Sequence, residues 1–189
     1  TLSEVRQIER TINGSGGKVT TFIGGRATEQ EIKSLDGTEA NILHIASHGF
    51  YVPMSNWDAI PYYSTSKYTK NIKEELFYSG LVMSGGDKSW TDSIFEADKN
   101  DGILTSYEIS KVDLHNVELV VLSACETGLG EDFYDGIFGL QRAFKKAGVK
   151  SILMSLWNID DKATSDYMDC FYRFLVSGLS RQESYRRTV

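Results

Sequence analysis

Alternating apolar runs and amphipathic helices predict an α/β sandwich on a mostly parallel sheet. Two runs, ELVVLSA (118–124) and SILMSLW (151–157), are almost wholly apolar, as expected of strands covered on both faces. Between them, GIFGLQRAFKKAG (136–148) spaces Ile137, Leu140, Phe144 and Ala147 on one helical face and ends on Gly148.

The remaining elements follow in order. Leu2, Val5, Ile8 and Ile12 stand at helical spacing, and NGSGG (13–17) stops that helix. KVTTFIG (18–24) has the β-branched content of a strand. Thr28 followed by Glu31 has the capping-box pattern and opens a short helix through Leu35. NILHIAS (41–47) is a second apolar strand, ending at His48 and Gly49. The stretch from Tyr51 to Asn116 is less regular: GLVMSGG (80–86) reads as a strand, DKSWTDSIFEADKNDG (87–102) as a long polar surface loop suited to gating or processing, and LTSYEISK (104–111) as a short helix. DDKATSDYMDCFYRFLVSG (160–178) is a helix with Ala163, Tyr167, Cys170, Phe171 and Phe174 turned inward. The chain opens and closes on helical patterns, so residues 1–189 are expected to be a single domain cut from a longer protein.

Composition narrows the function. A formal net charge of −6 argues against a general phosphate-binding surface, and nucleic acid is not the expected direct ligand. The two cysteines, Cys125 and Cys170, make no disulfide framework and suit a reducing, cytoplasmic compartment. No apolar run approaches the length that spans a bilayer.

His48 and Cys125 each fall just beyond the C-terminal end of an expected strand, the edge of an open parallel sheet where ligand sites form. A thiolate attacks carbonyls; a neighbouring imidazole promotes its formation and then protonates the departing amine. Ala124 and Gly49 leave room for substrate, and the backbone N–H groups of Gly49 and Cys125 suit an oxyanion. The alternative is a reduced core cysteine beside a surface histidine.

Other patterns fall short. His44 and His48 lack a metal-ligand partner, His115 reads as a loop residue and Cys170 as core. ADKNDGILTSYE has glycine and glutamate at EF-hand loop positions, but Ala97 and Lys99 stand where oxygen ligands are needed. GLVMSGGDKS has Gly86 where a P-loop needs lysine, and there is no G-x-S-x-G elbow. No metal, nucleotide or other cofactor is expected.

The blocks ILHIASHGFY, DGILTSYEI, ELVVLSACETGLGE and GIFGLQRAFKKAGVKSILMSLWNIDDKAT, taken in order, resemble those of the CHAT domain. The resemblance runs from near Leu2 to near Arg187. It implies a caspase-like three-layer α/β/α sandwich and a cysteine peptidase whose dyad is the histidine of SHG and the cysteine of SACETG, here His48 and Cys125. True caspases carry a QAC-type motif and closer His–Cys spacing, from which this chain departs. SLWNIDDKAT (155–164) resembles the substrate-pocket segment of separases, which implies that Asp160 or Asp161 binds a basic P1 side chain with Trp157 as a wall. Both aspartates also stand where helix caps and first-turn acids belong. The implied partners are a protein or peptide substrate and a regulatory repeat domain, such as tetratricopeptide repeats, in the same chain. The resemblance also implies a place in bacterial signalling or defence. The second function it leaves open is a non-catalytic or conditionally active scaffold module.

Overall fold

The computed structural model describes residues 2–51, 76, 79–86, 100–123, 133–155 and 160–189. The chain divides into two compact units, one of Gly24–Leu156 and one of Thr1–Ile23 with Trp157–Val189.

In the first unit the apolar runs become strands. A parallel three-stranded sheet holds β1 (Ile42–Ile45), β5 (Leu119–Leu122) and β6 (Ser151–Met154) in the order β1-β5-β6. All four residues of the central strand are buried, which accounts for its unbroken apolar sequence. Burying each such side chain contributes about 1.5–3 kcal/mol relative to leaving it in water. The ladders are in step: Ile45 pairs with Leu122, and Leu122 with Met154, so the carboxyl ends of the three strands lie level.

A second, antiparallel sheet in the order β2-β3-β4 joins β2 (Gly49–Tyr51), β3 (Ser79–Val82) and β4 (Ile103–Thr105). The sequence points to β3 alone, because β2 and β4 are too short to show a period. Helix α2 (Glu29–Lys33), α3 (Ser106–Ile109) and α4 (Phe133–Lys146) complete this unit. Leu140, Ala143 and Phe144 of α4 enter one core with Ile32, Ile45, Leu81, Leu104, Val120 and Leu122. Gly139 of the same helix lies against β3, where an added Cβ would stand 2.1 Å from the Ser79 hydroxyl oxygen.

The second unit holds α1 (Leu2–Gly14), α5 (Asp161–Val176) and α6 (Arg181–Thr188). Ile8 of α1 and Met168, Phe171 and Tyr172 of α5 are buried, and the Phe171 and Tyr172 rings meet edge to face at 5.5 Å. Burial and the Glu4 carboxylate both push the Tyr172 hydroxyl upward from its ordinary pKa. Ser180 caps α6 by accepting from the Glu183 N–H at 3.2 Å.

Several expectations need correction. KVTTFIG is not a strand: residues 17–23 have no ladder, and Gly24–Arg26 form a 3-10 turn. Val19, Thr21 and Ile23 are nevertheless more buried than Lys18, Thr20 and Phe22, so the segment keeps a two-residue alternation without a pairing partner among the described residues. Thr28 occupies the N-cap of α2, but its side chain makes no capping bond, and the helix ends at Lys33. The capping box forms instead at α3, between Thr105 and Glu108. That helix begins later than LTSYEISK suggests, because Leu104 and Thr105 belong to β4 and to the cap. On α5 Ala163 is exposed, and the buried stripe runs through Met168, Phe171 and Tyr172. The polar loop read at 87–102 lies outside the described residues up to position 99.

One close approach fixes the root of β4. Gly102 has φ +89°, and a Cβ there would stand 2.1 Å from the Gly86 backbone nitrogen. Neither the left-handed conformation nor backbone crowding can be relieved by a rotamer change. Gly102→Ala is therefore expected to destabilise the protein by about 2–4 kcal/mol. Urea unfolding beside wild type measures this, and equal midpoints would contradict it.

Candidate functional site at the carboxyl edge of the parallel sheet

His48 stands three residues beyond Ile45, at the corner where β1 ends and β2 begins. The corner is pinned from several sides. Its backbone carbonyl accepts from the Val82 N–H at 2.8 Å, and the Ser47 hydroxyl donates to the Val82 carbonyl. Gly49 faces Leu81 across β3. With Val82 bonded to His48, that is a non-hydrogen-bonded pair, in which the Gly49 N–H turns away from β3. His48 itself is exposed although its backbone is fixed.

The partner strand ends at the same level. β5 closes at Leu122, and the Ser123 N–H extends the ladder by donating to the Ile45 carbonyl at 3.1 Å. Cys125 follows Leu122 at the same three-residue offset by which His48 follows Ile45. Neighbouring strands run about 4.8 Å apart. Cys125 and Ala124 lie outside the described residues, as does Trp157.

Asp160 is exposed and caps α5: its Oδ1 accepts from the N–H groups of Lys162 and Ala163, at 3.0 and 3.1 Å. Asp161 is the first residue of that helix. His115 is an exposed loop residue whose Nδ1 lies 2.6 Å from Asp113 Oδ1, and Cys170 is half-buried on α5. Among the described residues no group of His, Cys, Asp and Glu side chains has the arrangement of a metal site, and no helix is long and apolar enough to cross a membrane.

In open α/β sheets the carboxyl edge of the parallel strands is where ligand sites form, and His48 stands at that edge here. The CHAT domain profile matches residues 1–189, and the chain belongs to the CHAT domain family, a caspase-like peptidase family. It is 29% identical over 171 residues to tetratricopeptide repeat protein 28 of Mus musculus, covering 86% of this chain and 7% of that protein. Against the Homo sapiens protein of the same name it is 28% identical over 165 residues, covering 84% of this chain and 6% of that protein. The chain thus spans only a small part of the curated relatives it matches. No solved structure matches it.

A constellation that sequence reasoning missed lies between α2 and the start of β4. The Lys33 ammonium donates to Glu29 at 2.8 Å, Glu108 at 2.9 Å and the Asn100 side-chain oxygen at 3.2 Å. Glu29, only 1% exposed, also accepts from the Gly102 N–H at 2.5 Å. The signal was ADKNDGILTSYE, whose Glu108 bonds Lys33 and whose Asp101 stands close to Glu29 and Glu108. Burial acts most strongly on the Lys33 ammonium and works against it, but the bonds from Glu29 and Glu108 win and its pKa is raised. Glu108 is raised because burial outweighs its bonds to Lys33 and Thr105. Burial is also the main reason that Asp101 is raised to about 6; the Ile103 N–H opposes this, and the Glu29 and Glu108 charges reinforce it.

A carboxyl raised from 3.8 to about 6 contributes stability that is present below pH 3.8 and lost as pH rises through 6. Asp101→Asn keeps an oxygen for the Ile103 N–H and removes the charge. It is expected to gain about 1–2 kcal/mol over wild type on going from pH 4 to pH 7, after allowance for solvent screening. Urea unfolding at both pH values reads this, and a difference independent of pH would contradict it.

Proposed function

We propose that this chain is a cysteine endopeptidase domain in which Cys125 is the nucleophile and His48 its base and acid. The observation that carries the reading is the level ending of β1 and β5, with His48 and Cys125 at equal offsets beyond the paired residues Ile45 and Leu122. The Cys125 thiolate attacks the scissile carbonyl carbon, and the electron pair moves onto oxygen, held by the N–H groups of Gly49 and Cys125. The C–N bond then breaks as His48 imidazolium gives its proton to the leaving amine. His48 takes a proton from water, which attacks the thioester and releases the acid and the thiol. A caspase-like three-layer α/β/α arrangement belongs to the same reading, on the strength of the family.

Basic P1 specificity is the finer part. Asp160 and Asp161, with Trp157, are assigned to the P1 side chain through the likeness to separases. The Asp160 cap bonds both go to Oδ1, so capping is compatible with a second role for that carboxylate.

A second reading is a conditionally active or scaffold module. The size of the relatives favours it, because a segment matching 6–7% of a tetratricopeptide repeat protein has room beside it for regulatory repeats in the same chain.

Cys125→Ala is expected to abolish cleavage of a peptide reporter, and His48→Ala to lower kcat by about 10²–10⁴; survival of turnover in Cys125→Ala sinks the mechanism. Labelling of Cys125 by a thiol-reactive peptide only in the presence of a repeat-containing partner would favour gating, and no labelling under either condition would favour the scaffold. For specificity, Arg-terminated reporters should outrun Asp-terminated ones by about 10- to 100-fold, the worth of a charge-assisted bond. Asp160→Asn, which retains the capping oxygen, and Asp161→Asn test which carboxylate is responsible, and equal turnover of Arg and Asp reporters by wild type removes the assignment.

A further inference from the structure

Three consecutive residues at the root of β4 are bonded to α2. The Asn100 side chain accepts from the Lys33 ammonium at 3.2 Å and donates to Gln30 Oε1 at 2.6 Å. The Asp101 carboxyl hydrogen-bonds the Glu29 carboxyl, and the Gly102 N–H donates to Glu29 Oε1 at 2.5 Å. On its other side the Gly102 carbonyl accepts from the Met83 N–H at 2.7 Å, so the segment bridges α2 and the end of β3. Charge around Asp101 comes from two helices. α2 presents Glu29 and Lys33, α3 presents Glu108, and the turn at residues 83–86 carries no charged side chain.

A bond between two carboxyls exists only while one of them holds a proton. Glu29 is 1% exposed and already accepts from Lys33 and Gly102, whereas the half-buried Asp101 can exchange a proton with water. We propose that Asp101 is a proton-operated latch: its protonated carboxyl donates to Glu29 and fastens residues 100–102 to α2, and release of that proton to water opens them locally. Once ionised, Asp101 is a third carboxylate beside Glu29 and Glu108, and Lys33 is the cation that they share. Repulsion then acts on the very segment whose flanking bonds, from Asn100 and the Gly102 N–H, also run to α2. Burial and the two neighbouring carboxylates favour the protonated form, the Ile103 N–H at 2.9 Å from Asp101 Oδ1 opposes it, and release falls at about pH 6. The latch is independent of the peptidase reading, since no reacting group takes part in it. A carboxyl that is merely buried would alter global stability alone; a latch opens residues 100–102 while β5 stays folded.

The test is amide hydrogen exchange of the full chain, read residue by residue at pH 5 and pH 7, corrected for the intrinsic rate at each pH and repeated in low urea. Gly102 and Met83 report the latch through their two bonds, and Val121 of β5 reports global unfolding. In wild type, Gly102 and Met83 should lose about 5- to 10-fold of their protection from pH 5 to pH 7, by an opening that urea does not accelerate. Asp101→Asn, which keeps an oxygen for the Ile103 N–H and holds no titrating proton, should show protection at both residues that does not change with pH. Glu108→Gln, which keeps an oxygen for the Thr105 N–H and removes one of the charges that hold the proton on Asp101, should show a smaller loss than wild type. The proposal is overturned if the wild-type loss is absent or if it persists in Asp101→Asn. It is equally overturned if Gly102 and Met83 exchange only with the urea dependence of Val121, which would make Asp101 a contributor to global stability and nothing more.

Discussion

The packing of β5 between β1 and β6 is the constraint from which the strand-end geometry follows. Its four side chains are all buried, and its ladders to both neighbours are in step, so β1 and β5 reach the carboxyl edge of the sheet at one level. A loop leaving either strand starts from a fixed origin. Apolar contact supplies the stability, but Leu, Val, Val and Leu look alike from both faces, and a slipped register would still bury them. Polar bonds at the strand end specify the register: Ser123 to the Ile45 carbonyl and Ser123 to His44. Hydrophobic burial and hydrogen bonding therefore divide the labour, one holding the sheet and the other aligning its edge.

The second sheet works on the other side of the same corner. Val82 bonds the carbonyl of His48, and Ser47 bonds the carbonyl of Val82, so β3 clamps the turn that presents the histidine. β3 in turn pairs with β4, whose root is set by the contact of Gly102 with Gly86 and by the carboxylates around Lys33. Asp101 is held there at an electrostatic cost that grows as pH rises through about 6. That cost is the kind a protein carries when a segment must be rooted by geometry as well as by burial.

Much of this was legible in the sequence where burial is two-sided. ELVVLSA announced β5 because a strand with both faces covered has no polar position; SILMSLW announced β6 by its apolar run although its four residues are only half-buried, and GIFGLQRAFKKAG announced α4 by its stripe. KVTTFIG carried equal β-propensity and formed no ladder, since propensity reports how a side chain fits a pleated surface and does not supply a pairing partner. β2 and β4 were invisible because three residues hold no period. The position of His48 just beyond a strand was legible from the apolar run before it. His44 has no metal-ligand partner in the sequence, and its contact with Ser123 was not legible there, because Ser123 is far along the chain and comes close only through the parallel register. The carboxylates of Asp101 and Glu108 were visible, but their partners on α2 were not, for the same reason.

The proposed dyad requires the Cys125 thiol to stand beside the His48 imidazole. The most direct measurement is cross-linking with 1,3-dibromoacetone, which alkylates a thiol with one arm and a neighbouring imidazole with the other, followed by mass spectrometry of the digested chain. The account predicts a bridged peptide pair joining Cys125 to His48. A bridge from Cys125 to His44 or His115, or a thiol alkylated on one arm with the other arm hydrolysed, would contradict it.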